Sequence, residues 1–526
     1  MTAIALAAPD RYRFKYIIAI TVSLASVLEL LDTSIVNVAI PHMMGNLGAT
    51  LDQIAWVSTG YIVANVIVLP ISGWLSAFFG RRSYFGGSIA LFTVASFLCG
   101  NAGSLESLVF WRIIQGLGGG ALLSTSQAIL YEEFPREEYG TAMAIFGVGV
   151  MVGPTLGPTV GGWITDMYGW PWIFYINIPF GMLALALTLS FINDSEHQQR
   201  STRVDFAGLG LLAVGIGALQ TMLERGERLD WFSSGQVRLL GITSAVSLIA
   251  FIWHELRTEH PVVELRILKS RQLAVGVVYG LVLGVCLYAT VFVLPVYLQS
   301  VQNFTANQTG LVILPGALAS AFTMAFMGRL QGKFDGRIAI AAGVLIFGLS
   351  MWQHAHFTTE SGMSDFFWPL IFRGLGLGLI FVPLTNLALA DLPMSKIPNG
   401  TGLFNLMRQL GGSVGIALSA TLLQRFTAIH RADLAASVTP YAQATQERLA
   451  MITQVLIGRG EIPAIAQTKA VGFLNGIVTR QAMMLSFEQL FLLFGTAFVL
   501  SLPLLLLMHR SKGMPGGGAA GGGGAH

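Results

Sequence analysis

Charged residues are scarce in this chain: Asp, Glu, Lys and Arg together make up 11% of its 526 residues. Soluble globular domains carry about 25% charged residues, so the composition excludes a soluble protein. Cysteine is also nearly absent, because only Cys99 and Cys286 occur. Both lie within long apolar runs, and we therefore expect no disulfide bonds.

Signals of catalysis are missing as well. The sequence contains no Walker-type phosphate-binding loop, so we do not expect ATP hydrolysis to supply energy. The nine histidines are scattered, without a nucleophile–base pair or a cluster of metal ligands, and no basic patch suggests nucleic acid. We predict that the protein is not an enzyme and that it uses no metal or cofactor.

Long apolar segments dominate what is present. Hydrophobic residues make up 54% of the chain, and a helix needs about 20 mostly apolar residues to cross a bilayer. The sequence therefore predicts an all-α polytopic membrane protein with fourteen transmembrane helices. The segments are 16–40, 54–72, 84–101, 107–130, 141–164, 171–191, 206–223, 239–256, 274–298, 308–329, 338–357, 365–390, 401–424 and 486–508.

The basic residues predict the orientation, because Lys and Arg concentrate in cytoplasmic loops. With the first segment entering from the cytoplasm, five short outer loops (41–53, 102–106, 165–170, 299–307 and 358–364) contain no Lys or Arg, and only 224–238 departs from the rule. Both termini are thus expected in the cytoplasm. The basic residues on that side include Arg11, Arg13, Arg81, Arg82, Arg200, Arg203, Arg329, Lys333, Arg337, Lys396, Arg510 and Lys512.

An internal repeat divides the chain. The stretch that begins at Leu69-Pro70 resembles the one that begins at Leu314-Pro315, and 115–118 resembles 373–376, at an offset of roughly 255 residues. We predict six-helix halves at 1–191 and 274–508, two inserted helices in 192–273, and a flexible Gly-rich tail at 509–526. Parallel six-helix halves place a substrate site between them near the midplane of the membrane.

Several ordered motifs extend this plan. They are Leu31-Asp32-Thr33-Ser34-Ile35-Val36-Asn37 in the first segment, Arg112-Ile113-Ile114-Gln115-Gly116 in the fourth, Gly80-Arg81-Arg82 after the second, and Trp172-Ile173-Phe174-Tyr175-Ile176-Asn177 at the sixth. With the glycines of the fifth segment, the set resembles the major facilitator superfamily, and within it the fourteen-helix drug:proton antiporter branch of the EmrB/QacA type. The resemblance covers nearly the whole chain.

The intramembrane charges are the candidates for coupling. A carboxylate in the hydrocarbon is costly unless it is neutralised, paired or hydrated, and burial and a nearby cation act on it in opposite directions. Asp32 and Arg112 should lie at similar depth in the outer half of the membrane, so that they can interact, and Glu29 lies one helical turn from Asp32. We predict roles in proton or substrate coupling for Asp32, Glu29, Arg112, Arg373 and Arg408; purely structural pairing is the alternative.

Small residues mark the fifth segment. Gly149, Gly153, Gly157 and Gly161 recur every four residues, which places them on one helical face where another helix can approach closely. Pro154 and Pro158 bend the helix, and Gly162 completes the motif. The resemblance implies that this element packs the two halves together and limits leak, whereas the alternative is generic close packing.

The loop after the second segment is a candidate cytoplasmic gate. It contains Gly73, Gly80, Arg81 and Arg82, although Ala77 stands where the family usually has an acid. The alternative is that these basic residues only reflect orientation.

The resemblance implies proton-driven export of amphipathic or lipophilic compounds across a bacterial inner membrane, with a periplasmic adaptor (a membrane fusion protein) and an outer-membrane channel as partners. We expect the long outer loop at 425–485, with helix-like spacing at Leu449, Ile452 and Leu456, to contact the adaptor together with the turn after segment seven. The alternatives are an exporter of one metabolite or siderophore and, less favoured, a receptor on the same fold that does not transport.

Overall fold

The computed structural model describes residues 14–194, 204–330 and 335–508, and these residues form sixteen α-helices and no strand. The helices of the first half are α1 (Lys15–Leu47), α2 (Leu51–Phe79), α3 (Arg81–Gly100), α4 (Leu105–Glu133), α5 (Tyr139–Tyr168), α6 (Trp172–Tyr175) and α7 (Asn177–Phe191). The others are α8 (Phe206–Arg225), α9 (Gly235–Arg257), α10 (Arg271–Ser300), α11 (Ala306–Leu330), α12 (Gly336–His354), α13 (Phe367–Leu389), α14 (Ile397–Ser437), α15 (Gln443–Gly458) and α16 (Pro463–Val499).

Fewer helices meet the length and composition criteria for a membrane span than the fourteen that the sequence predicts. Twelve helices in the described ranges are long and apolar enough to cross a membrane, and α5, bent by 42°, can be a thirteenth. Pro154 and Pro158 account for this bend, because each removes a backbone donor. α4 is long enough to be the fourteenth, but it carries buried polar side chains such as Gln115 and Gln127. Since α2 and α3 pack against it, α4 needs less apolar surface than a helix that faces lipid.

The helices pack as two bundles with a helix pair beside them. α1 to α7 contact mainly one another, and α10 to α14 with α16 form the second bundle. The inserted pair, α8 and α9, packs against α2 and α14, and two side-chain hydrogen bonds attach it to α14. Gln220 Nε2 donates to Ser413 Oγ at 2.8 Å, and Trp231 Nε1 donates to Thr421 Oγ1 at 2.9 Å.

The two bundles meet at the end where we expect the cytoplasm. Tyr131 Oη donates to Asn386 Oδ1 at 2.6 Å, and Tyr139 Oη approaches Met394 Sδ at 3.6 Å. Each pair is separated by 255 residues, which is close to the offset of the internal repeat. Positions related by the repeat therefore face each other, as they do near the pseudo-twofold axis that relates two parallel halves.

The long connection at 425–485, here called the outer arm, is helical over most of its length. α14 continues to Ser437, α15 follows, and α16 begins at Pro463. Leu449 and Ile452 pack against a small cluster of Leu456, Ala466 and Ala470, so the apolar spacing in this segment belongs to a helix packed on its neighbour.

Several predicted positions lie outside the described residues. These are the basic residues Arg11, Arg13, Arg200, Arg203, Lys333, Arg510 and Lys512, together with the Gly-rich tail at 509–526. The placement of both termini in the cytoplasm and the boundaries of the halves stay predictions.

Candidate functional site

A buried ion pair lies inside the first bundle. Arg112 Nη1 on α4 is 2.5 Å from Asp32 Oδ2 on α1. The side chains are 1% and 0% exposed, respectively. The sequence placed both residues at similar depth, and the structure shows that they are in contact. A charge pair this well buried is held only where further hydrogen bonds satisfy its remaining atoms.

Two amides complete the surroundings of Asp32. Gln115 Nε2 donates to Asp32 Oδ1 at 3.0 Å, and Asn177 Nδ2 donates to the same oxygen at 2.9 Å. Asn177 is fixed in turn by a 3.0 Å hydrogen bond to Ser96 Oγ. Gln115 and Asn177 belong to the sequence motifs but were not predicted as site residues. A polar amide within an apolar segment is the feature that could have identified them.

Arg112 has its own supports. Its Nε donates to the Val57 carbonyl at 3.1 Å, its Nη1 also donates to Gln115 Oε1 at 2.8 Å, and the Tyr61 ring centroid lies 4.1 Å from Cζ. A guanidinium over an aromatic face gains electrostatic stabilisation. The pair is thus enclosed by α1, α2, α4 and α7, and neither charged side chain reaches the space between the bundles.

Glu29 points to a different set of partners than Asp32. Asn65 Nδ2 on α2 donates to Glu29 Oε1 at 2.8 Å, while Glu29 Oε2 is buried without a hydrogen-bond partner. Although Glu29 lies one helical turn from Asp32, the two acids form no hydrogen bond with each other. Glu29 therefore belongs to a second polar layer.

This second layer crosses between the bundles. Asn405 Nδ2 on α14 donates to Gln127 Oε1 on α4 at 2.7 Å, and Arg408 Nη2 donates to Asn405 Oδ1 at 3.0 Å. Arg408 is buried, and its Cζ lies 5.5 Å from the Phe381 ring centroid. Glu29 and Arg408, far apart in the sequence, border this layer from opposite bundles and form no direct hydrogen bond with each other.

A cavity opens between the bundles beside these layers. Its empty space of about 590 Å³ includes the part that is open to solvent. Leu30 and Pro154 line it from the first bundle, and Tyr288, Ser320 and Arg373 line it from the second. Arg373 is buried and its Nε has no hydrogen-bond partner. The predicted residues therefore separate into an enclosed pair, a layer between bundles and a cavity wall.

The glycine face of α5 packs against α1. A Cβ added at Gly149 would lie 3.0 Å from Val27 Cγ2, and one at Gly153 would lie 2.8 Å from Leu30 Cβ; Gly157 and Gly161 approach α1 in the same way. Gly162 lies off this face, because only Val38 is near it, at 3.7 Å.

The helix that packs on the glycine face is α1, which differs from the expectation drawn from the sequence. The glycines were expected to pack the two halves together, but in this structure they join two helices of the same half. α5 does reach the second bundle through another surface, where Gly328 of α11 fits against Gly140 and Ala144. Glycine spacing reveals a close approach, but it does not identify the helix that approaches.

The candidate gate residues make two kinds of contact. Arg81 is buried and donates to Glu132 Oε2 at 2.6 Å, to Glu133 Oε1 at 2.9 Å and to the Asn193 carbonyl. Glu132 and Glu133 lie on α4 and Asn193 directly follows α7. This network therefore ties α3, α4 and the end of α7 together and does not itself join the halves.

Backbone geometry explains the two candidate glycines, of which Gly73 lies within α2 and Gly80 follows its last residue. A Cβ at Gly73 would lie 3.0 Å from the Asn399 nitrogen at the start of α14, so this glycine allows contact between the bundles. Gly80 has a φ of +85°, which favours glycine. Its neighbour Arg82 is exposed and bonds to Asp194 and to the Leu189 carbonyl.

Two helical bundles with a cavity between them and buried charges beside it define a secondary membrane transporter. A family model described as Major Facilitator Superfamily matches residues 22–416, and the chain belongs to that superfamily. Its apolar helices and its family make it a multi-pass protein of the bacterial inner membrane.

Curated relatives match almost the full length. The chain is 35% identical over 491 residues to the fatty acid resistance protein FarB of Neisseria gonorrhoeae, covering 93% of this chain and 95% of that protein. It is 35% identical over 504 residues to the multidrug export protein EmrB of Escherichia coli (strain K12), with 95% and 96% covered. A 30% identical relative is the colistin resistance protein EmrB of Acinetobacter baumannii, with 92% and 94% covered.

A solved structure shares the fold. The crystal structure of the human organic anion transporter MFSD10 (TETRAN) matches with a TM-score of 0.58 at 14% sequence identity, covering 92% of this chain and 99% of that chain. At this identity the match concerns the fold alone.

Proposed function

We propose that this multidrug efflux transporter exports amphipathic or lipophilic compounds from the cytoplasm or the inner leaflet in exchange for protons that flow inward. Relatives named for multidrug export and for fatty acid or colistin resistance support the export of lipophilic and amphipathic compounds. The single observation that carries the proton part is the enclosed Asp32–Arg112 pair.

Asp32 is proposed as the principal proton site. In this structure its charge is balanced by Arg112 and by two amide donors. Uptake of a proton would cancel the charge on Asp32 and leave Arg112 without its counter-ion in a buried site, which is costly. Helices α1, α4 and α7 would then favour a different arrangement. Protonation can thereby be coupled to movement without direct contact between Asp32 and the substrate.

The cavity between the bundles is the proposed substrate site. Its wall combines apolar side chains such as Leu30 and Leu377 with a few polar ones, namely Tyr288, Ser320 and Arg373. This mixture suits ligands that have a large apolar part and a small polar head. Export needs no further energy source, because moving one charge across 100 mV provides about 2.3 kcal/mol.

We further propose that the outer arm binds a periplasmic adaptor of a pump that continues to the outer membrane. Helices of the arm leave Met451, Val455, Phe473 and Ile477 exposed, and exposed apolar groups on a helix outside the lipid mark a surface for a partner. The Trp231 turn is close to the arm's helix α14 and is proposed as part of the same surface.

The experiment follows ΔpH in everted membrane vesicles that contain the native chain or the Asp32→Asn variant, challenged with lipophilic cations and weak acids. We expect at least one compound to collapse ΔpH with the native chain and to have no effect with the variant. If no compound moves protons with the native chain, an exporter of one metabolite or siderophore becomes the better description. Equal responses of both chains would remove Asp32 from the mechanism.

A further inference from the structure

We propose that Glu29 and Arg408 form a charge pair between the two bundles that keeps the cytoplasmic side closed until Glu29 takes up a proton. This inference rests on the proposed exchange of substrate for protons, and it adds a second proton site with a different task from Asp32. Asp32 is enclosed in one bundle, whereas Glu29 faces a cation on the other.

The two charged groups belong to opposite bundles. Glu29 lies on α1 of the first bundle and Arg408 on α14 of the second, and both are buried. Arg408 Nη2 donates to Asn405 Oδ1 at 3.0 Å, and Asn405 Nδ2 in turn donates across the interface to Gln127 Oε1 at 2.7 Å. The cation is therefore fixed at the interface by a contact that exists only while the bundles are together.

Several buried polar atoms of this layer have no hydrogen-bond partner. They include the acceptors Glu29 Oε2 and Asn65 Oδ1 and the donors Gln127 Nε2, Arg408 Nε and Arg408 Nη1. Buried polar atoms are rarely left unsatisfied, and water molecules commonly bridge such groups. Acceptors beside Glu29 and donors on Arg408 and Gln127 are what a water-bridged ion pair requires.

The helix register makes Arg408 the available cation. Ser26, one turn before Glu29, donates to Ser126 Oγ at 3.0 Å, and Asn405, one turn before Arg408, donates to the adjacent Gln127. The titratable groups that act on Glu29 or are acted on by it are Asp32 on the same helix, Tyr61 on α2, Tyr288 on α10 and Arg408 on α14. Arg112 is already engaged with Asp32, and α4 presents the uncharged Gln127 to this layer. Glu29 therefore depends on the second bundle for its positive counter-charge.

The consequence is a lock that a proton releases. If the bundles part at the cytoplasmic side, α14 moves away and an ionised Glu29 stays behind without a cation, which is strongly unfavourable in a buried site. A protonated Glu29 does not meet this cost. An empty transporter that faces outward can then turn inward only after it has taken up a proton, as exchange without leak demands.

The test measures the opening of the cytoplasmic side as a function of pH in the purified full chain. Spin labels are attached to cysteines introduced by Glu137→Cys and Asp391→Cys, two exposed positions on opposite bundles, after Cys99→Ala and Cys286→Ala. The distance distribution is recorded in lipid nanodiscs between pH 5 and 9, without substrate. We expect the native chain to change the ratio of long to short distances by about 5-fold or more, the range of allosteric couplings.

The variants separate the lock from other effects. Glu29→Gln should show mostly long distances at every pH, and Arg408→Gln should move the change to higher pH and raise the substrate-independent leak of protons in vesicles. Arg408→Lys, which keeps the charge, should retain the native response. The control is Arg480→Gln, which removes a part-buried arginine of α16 that donates to the Val301 and Thr359 carbonyls and should leave the pH response of the distance in place.

Two results would overturn the inference. A folded Glu29→Gln chain that keeps the native pH response shows that Glu29 is not the group that holds the lock. A native response in Arg408→Gln shows that Arg408 is not its partner. If the native chain still exchanges protons for drugs in either case, the proposed function stands and only the lock fails. If the native chain exchanges no protons with any compound, the proposed function itself fails.

Discussion

The enclosed pair of Asp32 and Arg112 makes a prediction that separates its structural role from its role in transport. Asp32→Asn keeps the shape of the side chain but removes its charge, so Arg112, 1% exposed, stays charged without a counter-ion. Arg112→Met leaves an ionised Asp32 with only Gln115 and Asn177 as donors. Removing one partner of a buried ion pair costs about 3–5 kcal/mol.

The double variant should be far more stable than the sum of the singles. Independent losses would total about 6–10 kcal/mol, whereas removal of both charges together leaves no uncompensated ion. We expect the double variant to lose no more stability than either single variant does, so that the two changes interact by several kcal/mol. The assay is the apparent Tm of each purified variant in detergent, with the amount of folded protein from size exclusion as a check.

Transport decides what the pair does beyond stability. If Asp32 carries protons, the double variant should regain stability but still fail to collapse ΔpH when a substrate is added. Recovery of exchange together with stability would refute the coupling role and leave the pair as a structural clamp. Additive losses of Tm would refute the energetic argument itself, because they would mean that the two charges do not interact.

Three further predictions concern packing, the cytoplasmic loop and the outer arm. Gly153→Val should lower the apparent Tm, because even its Cβ would meet Leu30 at 2.8 Å and overpacking costs about 1–3 kcal/mol. Gly162→Ala is the control and should have little effect, because its Cβ would lie at an ordinary contact distance of 3.7 Å from Val38. Arg81→Gln should lower the apparent Tm and increase proton leak, since two buried or half-buried glutamates lose their cation; an unchanged Tm would contradict this. Deleting 430–480 should abolish pull-down of the adaptor from cells while the protein stays folded, and undiminished pull-down would exclude the arm as the contact.

The sequence was sufficient for the class of protein and for part of the site. Segments of the right length and apolarity predicted a polytopic helical fold because a bilayer leaves few other ways to satisfy a backbone. The depth of Asp32 and Arg112 followed from the rise per residue along two helices, and the two side chains are in contact. The helical spacing at Leu449, Ile452 and Leu456 likewise predicted a helix in the outer arm, and these residues lie in α15.

Directions around a helix and the identity of neighbours needed the tertiary structure. Glu29 and Asp32 are three residues apart and differ by about 60° around α1. Glu29 nevertheless bonds to α2 and Asp32 to α4 and α7, since different helices lie on either side. Gly153 predicted that another helix approaches α5 closely, but whether that helix is α1 or belongs to the second bundle depended on how the helices assemble. Local sequence therefore determined which residues carry a charge that is costly to bury in a membrane and which are small enough for a close helix contact. Only the packing of distant helices decided which partners these residues meet.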